Sequence, residues 1–95
     1  DKERYALSKK MIPHVVSVVL VNFRGADDTI SAVHALREQN WPSRLLEIVV
    51  VENGSGDDSL ARLRALGTDV TVVESKTNRG FTGGCNLGVE HASGE

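Results

Sequence analysis

Apolar residues along the chain fall into three short runs, which alternate with segments of helical periodicity. The runs cover residues 14–21, 47–51 and 69–74 and are rich in Val. The first two are almost continuous, which is typical of strands that are covered on both faces in a parallel sheet. We therefore predict three strands. Even the longest run is far too short to span a bilayer.

Three helices are predicted, one after each strand. The first is capped by an aspartate at 27–28 and ends at residues 40–42, because proline disfavours helix at the residue before it. The second is capped within residues 57–59 and is followed by Gly67, which suits a left-handed C-terminal cap. The third covers residues 82–92. Apolar residues at helical spacing in the three segments are Ile30, Val33, Leu36, Leu60, Leu63, Leu66, Cys85, Val89 and Ala92.

The resulting β-α-β-α-β-α order defines the α/β fold class. Connections of this kind are right-handed and build a parallel sheet with helices on its faces. Over residues 13–95 we predict three parallel strands with flanking helices, which is half of a Rossmann-like sheet. Residues 1–12 are charged and weakly patterned, and we predict an arm or a short helix there. A half-sheet leaves a strand edge unpaired, so we expect an N-terminal part of a larger domain, with an edge that favours a homo-oligomer.

Composition and charge narrow the classes of function. The 95 residues allow one domain at most. Their hydrophobic content of 40% is slightly below the globular average, but Val, Leu and Ile are concentrated in runs, which argues against disorder. The formal net charge of −2 is spread without a Lys/Arg cluster, so no nucleic-acid partner is expected. Cys85 is the single cysteine, which excludes an internal disulfide, and no Cys/His spacing indicates a metal site. With no evident signal peptide, a reducing cytoplasmic setting is favoured.

Gly-rich loops follow the three predicted strands, at residues 21–28, 52–58 and 78–86. Loops after neighbouring parallel strands converge at one edge of the sheet, where open α/β sheets bind ligands. The second loop places Glu52 directly after a Val run, where its carboxylate can accept hydrogen bonds from a base N–H or from ribose hydroxyls. The alternative is that this loop is only a tight turn followed by a helix cap.

The other two loops also allow both functional and structural interpretations. Phe23 can lie against a base and Arg24 can meet a phosphate, or the phenyl ring covers the core and the guanidinium is solvated. Residues 80–88 carry four glycines, and each glycine inside a helix costs about 1 kcal/mol relative to alanine. Either an anion at the helix start or close packing on the sheet is expected to explain them. Their spacing fits neither the dinucleotide fingerprint nor the P-loop.

Four short stretches are most informative when they are taken together. They are residues 16–23 (VSVVLVNF), 47–55 (EIVVVENGS), 78–88 (NRGFTGGCNLG) and 92–95 (ASGE). Their order and separation resemble the N-terminal half of family 2 glycosyltransferases, inverting enzymes with a GT-A fold. The resemblance covers residues 14–95, and it is strongest to the branch of rhamnosyl- and galactofuranosyltransferase-like enzymes.

This resemblance implies that the chain holds the nucleoside diphosphate of a sugar donor, of the UDP or dTDP type. Asn22 and Phe23 would flank the base, and Arg24 would approach the diphosphate. Glu52 would bind uracil or another base, although the family usually has Asp at this position. Three further residues match the motif that lines the donor pocket: Asn78, Gly84 and Asn86.

The resemblance also implies what lies beyond residue 95. The family's acidic metal-binding motif is expected on the next strand, so residues 1–95 hold no ligands for the Mg²⁺ or Mn²⁺ of the parent enzyme. The catalytic base and the site for a saccharide or lipid-linked acceptor are expected further on. We expect the parent enzyme to act in cell-wall or polysaccharide synthesis, in the cytoplasm or at the cytoplasmic face of a membrane, and the 95 residues alone to be inactive.

Two other functions remain open from the sequence. A non-catalytic nucleotide-binding or assembly module would use the same half-sheet, and an acidic pair soon after residue 95 would favour the enzyme instead. A stand-alone Rossmann-like domain for a dinucleotide ranks last, because the glycine fingerprint is missing.

Overall fold

A computed structural model describes residues 15–39 and 46–93 of the chain. The elements are β1 (Val16–Asn22), α1 (Ala26–Arg37), β2 (Leu46–Asn53), α2 (Ser59–Arg64), β3 (Val70–Ser75) and α3 (Gly80–His91). The predicted order of strands and helices is confirmed. The predicted arm at residues 1–12, the domain boundary at residue 13 and the helix stop at residues 40–42 lie outside the described residues.

The three strands form one parallel sheet in the order β1-β2-β3. Asn22 at the end of β1 pairs with Glu52 of β2, and Glu52 pairs with Glu74 of β3. The carboxyl ends of all three strands are therefore level, and the loops that follow them start from one rim of the sheet. Within the described residues β1 and β3 are the sheet edges, and pairing of an edge with a second copy stays a prediction.

Both faces of the sheet are covered, which explains the almost continuous Val runs. On one face α1 and α2 cover a core of Leu20, Val33, Ile48, Val50, Leu63 and Val70. On the other face α3 packs over a second core, which contains Val19, Val49, Val51, Val73 and Ala92. When strands are added in one direction, right-handed connections place their helices on one face of the sheet. α1 and α2 share a face and α3 lies on the other, which is the arrangement of a doubly wound sheet.

The starts of α1 and α3 differ from the prediction, whereas the N-cap of α2, Asp58, lies within the predicted residues 57–59. Gly25 is the N-cap of α1, and the aspartates at 27–28 lie in its first turn, where negative charge favours the helix dipole. α2 is shorter than expected and ends at Arg64, so Leu66 lies in the turn after it. α3 begins two residues early, at Gly80. Gly67 has the predicted positive φ of 118°, but within the turn that leads to β3.

Candidate functional site

The first two loops are joined at the carboxyl rim by the buried side chain of Glu52. Its carboxylate accepts hydrogen bonds from the backbone N–H of Ser55 at 3.3 and 3.2 Å and from the Ser55 hydroxyl. The same carboxylate accepts one from Asn22 Nδ2 at 3.3 Å, and the Asn22 amide oxygen accepts from Thr29 Oγ1 at 2.7 Å. Neighbouring strand ends and the start of α1 are thus tied together by side chains.

Arg24 is held in an unusual backbone conformation above this group. Its φ of +52° makes it the only residue other than glycine with positive φ in the described ranges. The Arg24 N–H donates to Ser55 Oγ at 2.8 Å, and its Nε donates to the Ser55 carbonyl at 3.0 Å. The guanidinium carbon lies 5.0 Å from the centroid of the Phe23 ring, within cation–π range. The contacts with Ser55 offset the cost of the left-handed conformation.

The third loop is attached to the second through the buried side chain of Asn53, the last residue of β2. Asn53 Nδ2 donates to Asn78 Oδ1 at 3.2 Å and to the Gly80 carbonyl at 3.1 Å. Its Oδ1 accepts from the Arg79 N–H at 3.1 Å. The backbones also touch, since a Cβ on Gly54 would lie 2.4 Å from the carbonyl carbon of Thr77. The three loops therefore form one continuous rim.

Two phenyl rings lie exposed beside this rim. Phe23 is 42% exposed, and Phe81, at the start of α3, is 51% exposed. In the described part of the chain these two are the large apolar side chains that are exposed to solvent. Both line a cleft of about 290 Å³. Its other lining residues are Leu20, Val21, Gly25, Asp28, Thr29 and Ala32. Exposed aromatic faces in a cleft are suited to a flat ring.

The structure gives different reasons for the glycines of α3. A Cβ on Gly84 would lie 2.8 Å from Val21 Cγ1 and 3.2 Å from Asn53 Nδ2, so the helix packs too closely on the sheet for a side chain. Gly88 is equally confined by Val19. Packing accounts for both. Gly80 has a φ of +73° and open space around it, which places a turn at the helix start.

Most of the predicted site residues come together at the rim. Asn22, Phe23, Arg24, Glu52 and Asn78 all lie there. The two on α3 differ. Gly84 lies beneath the rim, against β1, whereas Asn86 is exposed about 9 Å along the helix from its start, given the rise per residue. The Asn86 side chain makes no hydrogen bond within the described ranges.

Four rim residues were missed by the sequence analysis. Ser55 links Glu52 to Arg24, Asn53 links the second loop to the third, and Phe81 faces Phe23 across the cleft. The fourth is Arg79, whose Nε donates to Ser75 Oγ at the end of β3 at 3.1 Å. Only the position of the three polar residues in the sequence indicated a role in the site, since each one ends or follows a predicted strand. The exposure of Phe81 had no signal in the apolar pattern.

The described residues offer no metal centre. In residues 15–39 and 46–93 no three His, Cys, Asp or Glu side chains are placed to hold an ion. Cys85 is buried in α3, and burial raises the pKa of its thiol, as for a packing residue. The pKa of Asp57 is lowered by its hydrogen bonds with Ser59 at the start of α2. None of the helices in these ranges is long and apolar enough to cross a membrane.

The fold is that of a doubly wound α/β domain, and the candidate site lies at the carboxyl ends of the strands, where such sheets bind ligands. The sequence model of Glycosyl transferase family 2 matches residues 17–95, so the chain belongs to this family. This membership confirms the resemblance at the level of family and GT-A-like fold. It does not favour the two other functions considered.

Three similar proteins agree with the assignment. Two are uncharacterized glycosyltransferases of Mycobacterium tuberculosis, MT1564 of strain CDC 1551 and Rv1514c of strain H37Rv, each 32% identical over 80 residues. The match covers 84% of this chain and 30% of either relative. The third is the mannosyltransferase PcManGT from Pyrobaculum calidifontis, solved with GDP-Man and Mn²⁺. It superposes with a TM-score of 0.77 at 26% identity, over 96% of this chain and 28% of the mannosyltransferase.

Proposed function

We propose that the chain is the donor-nucleotide part of a glycosyltransferase and holds the nucleoside diphosphate of an activated sugar. The observation that carries the proposal is the convergence of three polar loops at the carboxyl rim of the sheet, beside a cleft with two exposed phenyl rings. Support comes from PcManGT, a mannosyltransferase of similar fold that was solved with GDP-Man.

The base and the diphosphate each have a chemical match at the rim. Phe23 and Phe81 offer faces for the base, and the buried Asn22 ends β1 next to Phe23. The guanidinium of Arg24 supplies positive charge and planar donors for the diphosphate. The backbone near Asn78 and Gly80 forms the turn at the opposite end of the rim.

Three other assigned residues complete the proposed donor site. The family resemblance implies that Glu52 contacts the base from the end of β2. Gly84 lets α3 approach the sheet, so its role is to bring the start of that helix to the donor. Asn86, on the exposed side of α3, is proposed to face the sugar or a later part of the protein.

We further propose that the complete protein transfers its sugar to a saccharide or lipid-linked acceptor with inversion, as in the rhamnosyl- and galactofuranosyltransferase-like branch. Residues of this chain would bind and orient the donor diphosphate. A divalent cation, Mg²⁺ or Mn²⁺, would neutralise charge on the departing diphosphate, but the described residues do not fit such an ion. Its ligands and the catalytic base would come from the rest of the protein, so residues 1–95 alone are expected to be inactive. A cytoplasmic location is proposed with this function.

Titration of the protein with UDP, dTDP and GDP tests the donor site. We expect saturable binding, with amide NMR shifts concentrated in residues 22–25, 52–56 and 77–81. Arg64→Ala is the matched control, because Arg64 is an exposed arginine at the far end of α2 from the rim. It should bind nucleotides as the unsubstituted protein does. Shifts that avoid all three loops, or no saturable binding with or without Mn²⁺, would contradict the proposal.

A further inference from the structure

We propose that Glu52 is a positioning residue, which fixes the Arg24 guanidinium through Ser55, and that Arg24 is the residue that contacts the donor diphosphate. This inference rests on the proposed function. It changes the role of Glu52 from recognition of the base to preparation of the phosphate site, and it gives Ser55 a function that no motif assigned.

The carboxylate of Glu52 is already occupied by its own loop. Glu52 is only 5% exposed, so little of its surface is open to a ligand. Oε1 receives the hydroxyl and the N–H of Ser55 together with Asn22 Nδ2, and Oε2 also receives the Ser55 N–H. A carboxylate that accepts several hydrogen bonds inside the protein has little capacity left for a base N–H.

The side chain of Glu52 turns back onto its own loop. Ser55 lies three residues after Glu52, on the far side of the turn at Gly54. The family resemblance gives Asp as the usual residue here, so the sequence departs from the family pattern at the position where the structure turns the side chain inward.

Ser55 connects the carboxylate of Glu52 to Arg24 through hydrogen bonds. Its hydroxyl donates to Glu52, and this fixes the lone pairs that accept the Arg24 N–H at 2.8 Å. Its carbonyl accepts Arg24 Nε at 3.0 Å. Arg24 needs such support because its φ of +52° is unfavourable for a residue with a Cβ. Strain of this kind persists where the surroundings over-determine it, and it is concentrated at functional sites.

The remaining donors of Arg24 point to its ligand. Nε is used by Ser55, and the two Nη groups donate to no atom within the described residues. The Phe23 ring lies 5.0 Å from the guanidinium carbon and limits its movement on one side. Asp57, whose pKa is lowered mainly by its hydrogen bonds with Ser59 and also by the charge of Arg24, accepts no hydrogen bond from the guanidinium within the described residues. Both Nη groups therefore keep donors for two oxygens, as a diphosphate presents.

The test is a double-mutant cycle between Glu52 and Arg24 in the full-length protein, read by calorimetric binding of nucleotides. Glu52→Gln should weaken the binding of UDP, dTDP and GDP by the same factor, about tenfold, because a hydrogen-bonded charge is lost. Glu52→Asp keeps the charge but displaces the carboxylate, so it should also weaken the binding of all three nucleotides by one common factor. Arg24→Ala should lower the affinity for all three nucleotides by about tenfold or more. In the Arg24→Ala background, Glu52→Gln should cause little further loss, as expected for two residues that act as a unit.

A second readout separates positioning from a general loss of structure. The affinity for the matching nucleoside monophosphates should fall much less than that for the diphosphates, so the preference for diphosphate shrinks in each variant. Ser55→Ala should reproduce this change while Glu52 and Arg24 both remain. Arg64→Ala, on the far end of α2, should leave the ratio of the two affinities unchanged.

Each contrary outcome has a distinct meaning. A change in the ranking of UDP, dTDP and GDP on Glu52→Gln or Glu52→Asp overturns the proposal, because Glu52 would then contact the base. Full additivity with Arg24→Ala, or equal losses for mono- and diphosphates, overturns it as well. Absence of nucleotide binding by the unsubstituted protein would instead refute the proposed function, and the inference with it.

Discussion

Gly88 in α3 lies directly against Val19 in β1. A Cβ built on Gly88 would be 2.3 Å from Val19 Cγ1 and 3.0 Å from Val51 Cγ2, closer than carbon atoms approach in packed proteins. Both valines are fully buried in the core beneath α3 and have no space to retreat. The missing side chain of Gly88 therefore sets how near α3 lies to the sheet.

We expect Gly88→Ala to destabilise the protein despite the better helix propensity of alanine. Overpacking costs about 1–3 kcal/mol and the gain in helix propensity is about 1 kcal/mol. The 2.3 Å approach to Val19 Cγ1 places the cost toward the upper end, so the net loss should be up to about 2 kcal/mol in urea denaturation. Val19→Ala should partly rescue Gly88→Ala. Additive losses in the double variant would show that the two residues do not compete for space.

Glu47 anchors the chain where it leaves α3. Its carboxylate accepts the Ser93 N–H at 2.7 Å, the Ser93 hydroxyl at 3.1 Å and the Ser17 hydroxyl at 2.5 Å. We expect Glu47→Ala to release residue 93, so that amide hydrogen exchange of Ser93 accelerates about tenfold, as for loss of a charged hydrogen bond. Amides in the middle of α3 should keep their protection.

The matched control for this exchange measurement is Glu74→Ala, since Glu74 is an exposed glutamate on β3. It should leave the Ser93 amide as protected as in the unsubstituted protein. If Glu47→Ala left that amide unchanged, the anchor would contribute nothing to the end of α3.

Arg37 and Asp69 form an ion pair at the rim opposite the candidate site. Arg37 Nε and Nη2 donate to the two Asp69 oxygens at 3.0 and 2.7 Å, and Nη2 also donates to the Leu66 carbonyl at 2.6 Å. The hydrogen bonds from Arg37 lower the pKa of Asp69 below its ordinary value of 3.8. A pair this exposed stabilises the fold by at most about 1 kcal/mol.

The lowered pKa of Asp69 determines how the stability contributed by this ion pair changes with pH. The contribution of Asp69 is complete above its ordinary pKa, and it is lost as the pH falls through the lowered value. We expect Arg37→Ala to reduce the free energy of unfolding in urea at about pH 7, and the difference from the unsubstituted protein to shrink by about pH 3. Asp69→Asn keeps the Leu66 contact, so it should remove only the pH-dependent part. A difference that grew on acidification would contradict the assignment.

The periodic pattern predicted the architecture because burial on both faces leaves a direct trace in the sequence. The runs around Val19 and Val50 required a covered parallel sheet, and that sheet alone was enough to align the loops at one rim. The starts of α1 and α3 were predicted less well. Gly25 and Arg79 are N-caps without a capping hydrogen bond from a side chain, so their sequences carry no distinctive signal.

The inner contacts of the site could not be read from the chain. Whether Glu52 turns to a ligand or back to Ser55 depends on rotamers and on the path of the turn at Gly54. The same holds for Asn53, which looks like any polar residue in a turn until α3 is placed beside it. Spacing predicts which loops meet, whereas the direction of each side chain follows from packing.

Phe23 and Phe81 provide a test that separates binding from stability. Both rings are about half exposed, so Phe23→Ala and Phe81→Ala should change the urea midpoint little. If the rings flank the base, each substitution should weaken the binding of UDP and of GDP by a similar free energy, about 1–3 kcal/mol, which is the range for base–aromatic stacking. Phe23→Tyr keeps the aromatic face and should retain most of the affinity. Unchanged affinity in both alanine variants would place the base elsewhere on the rim and leave the cleft without its proposed ligand.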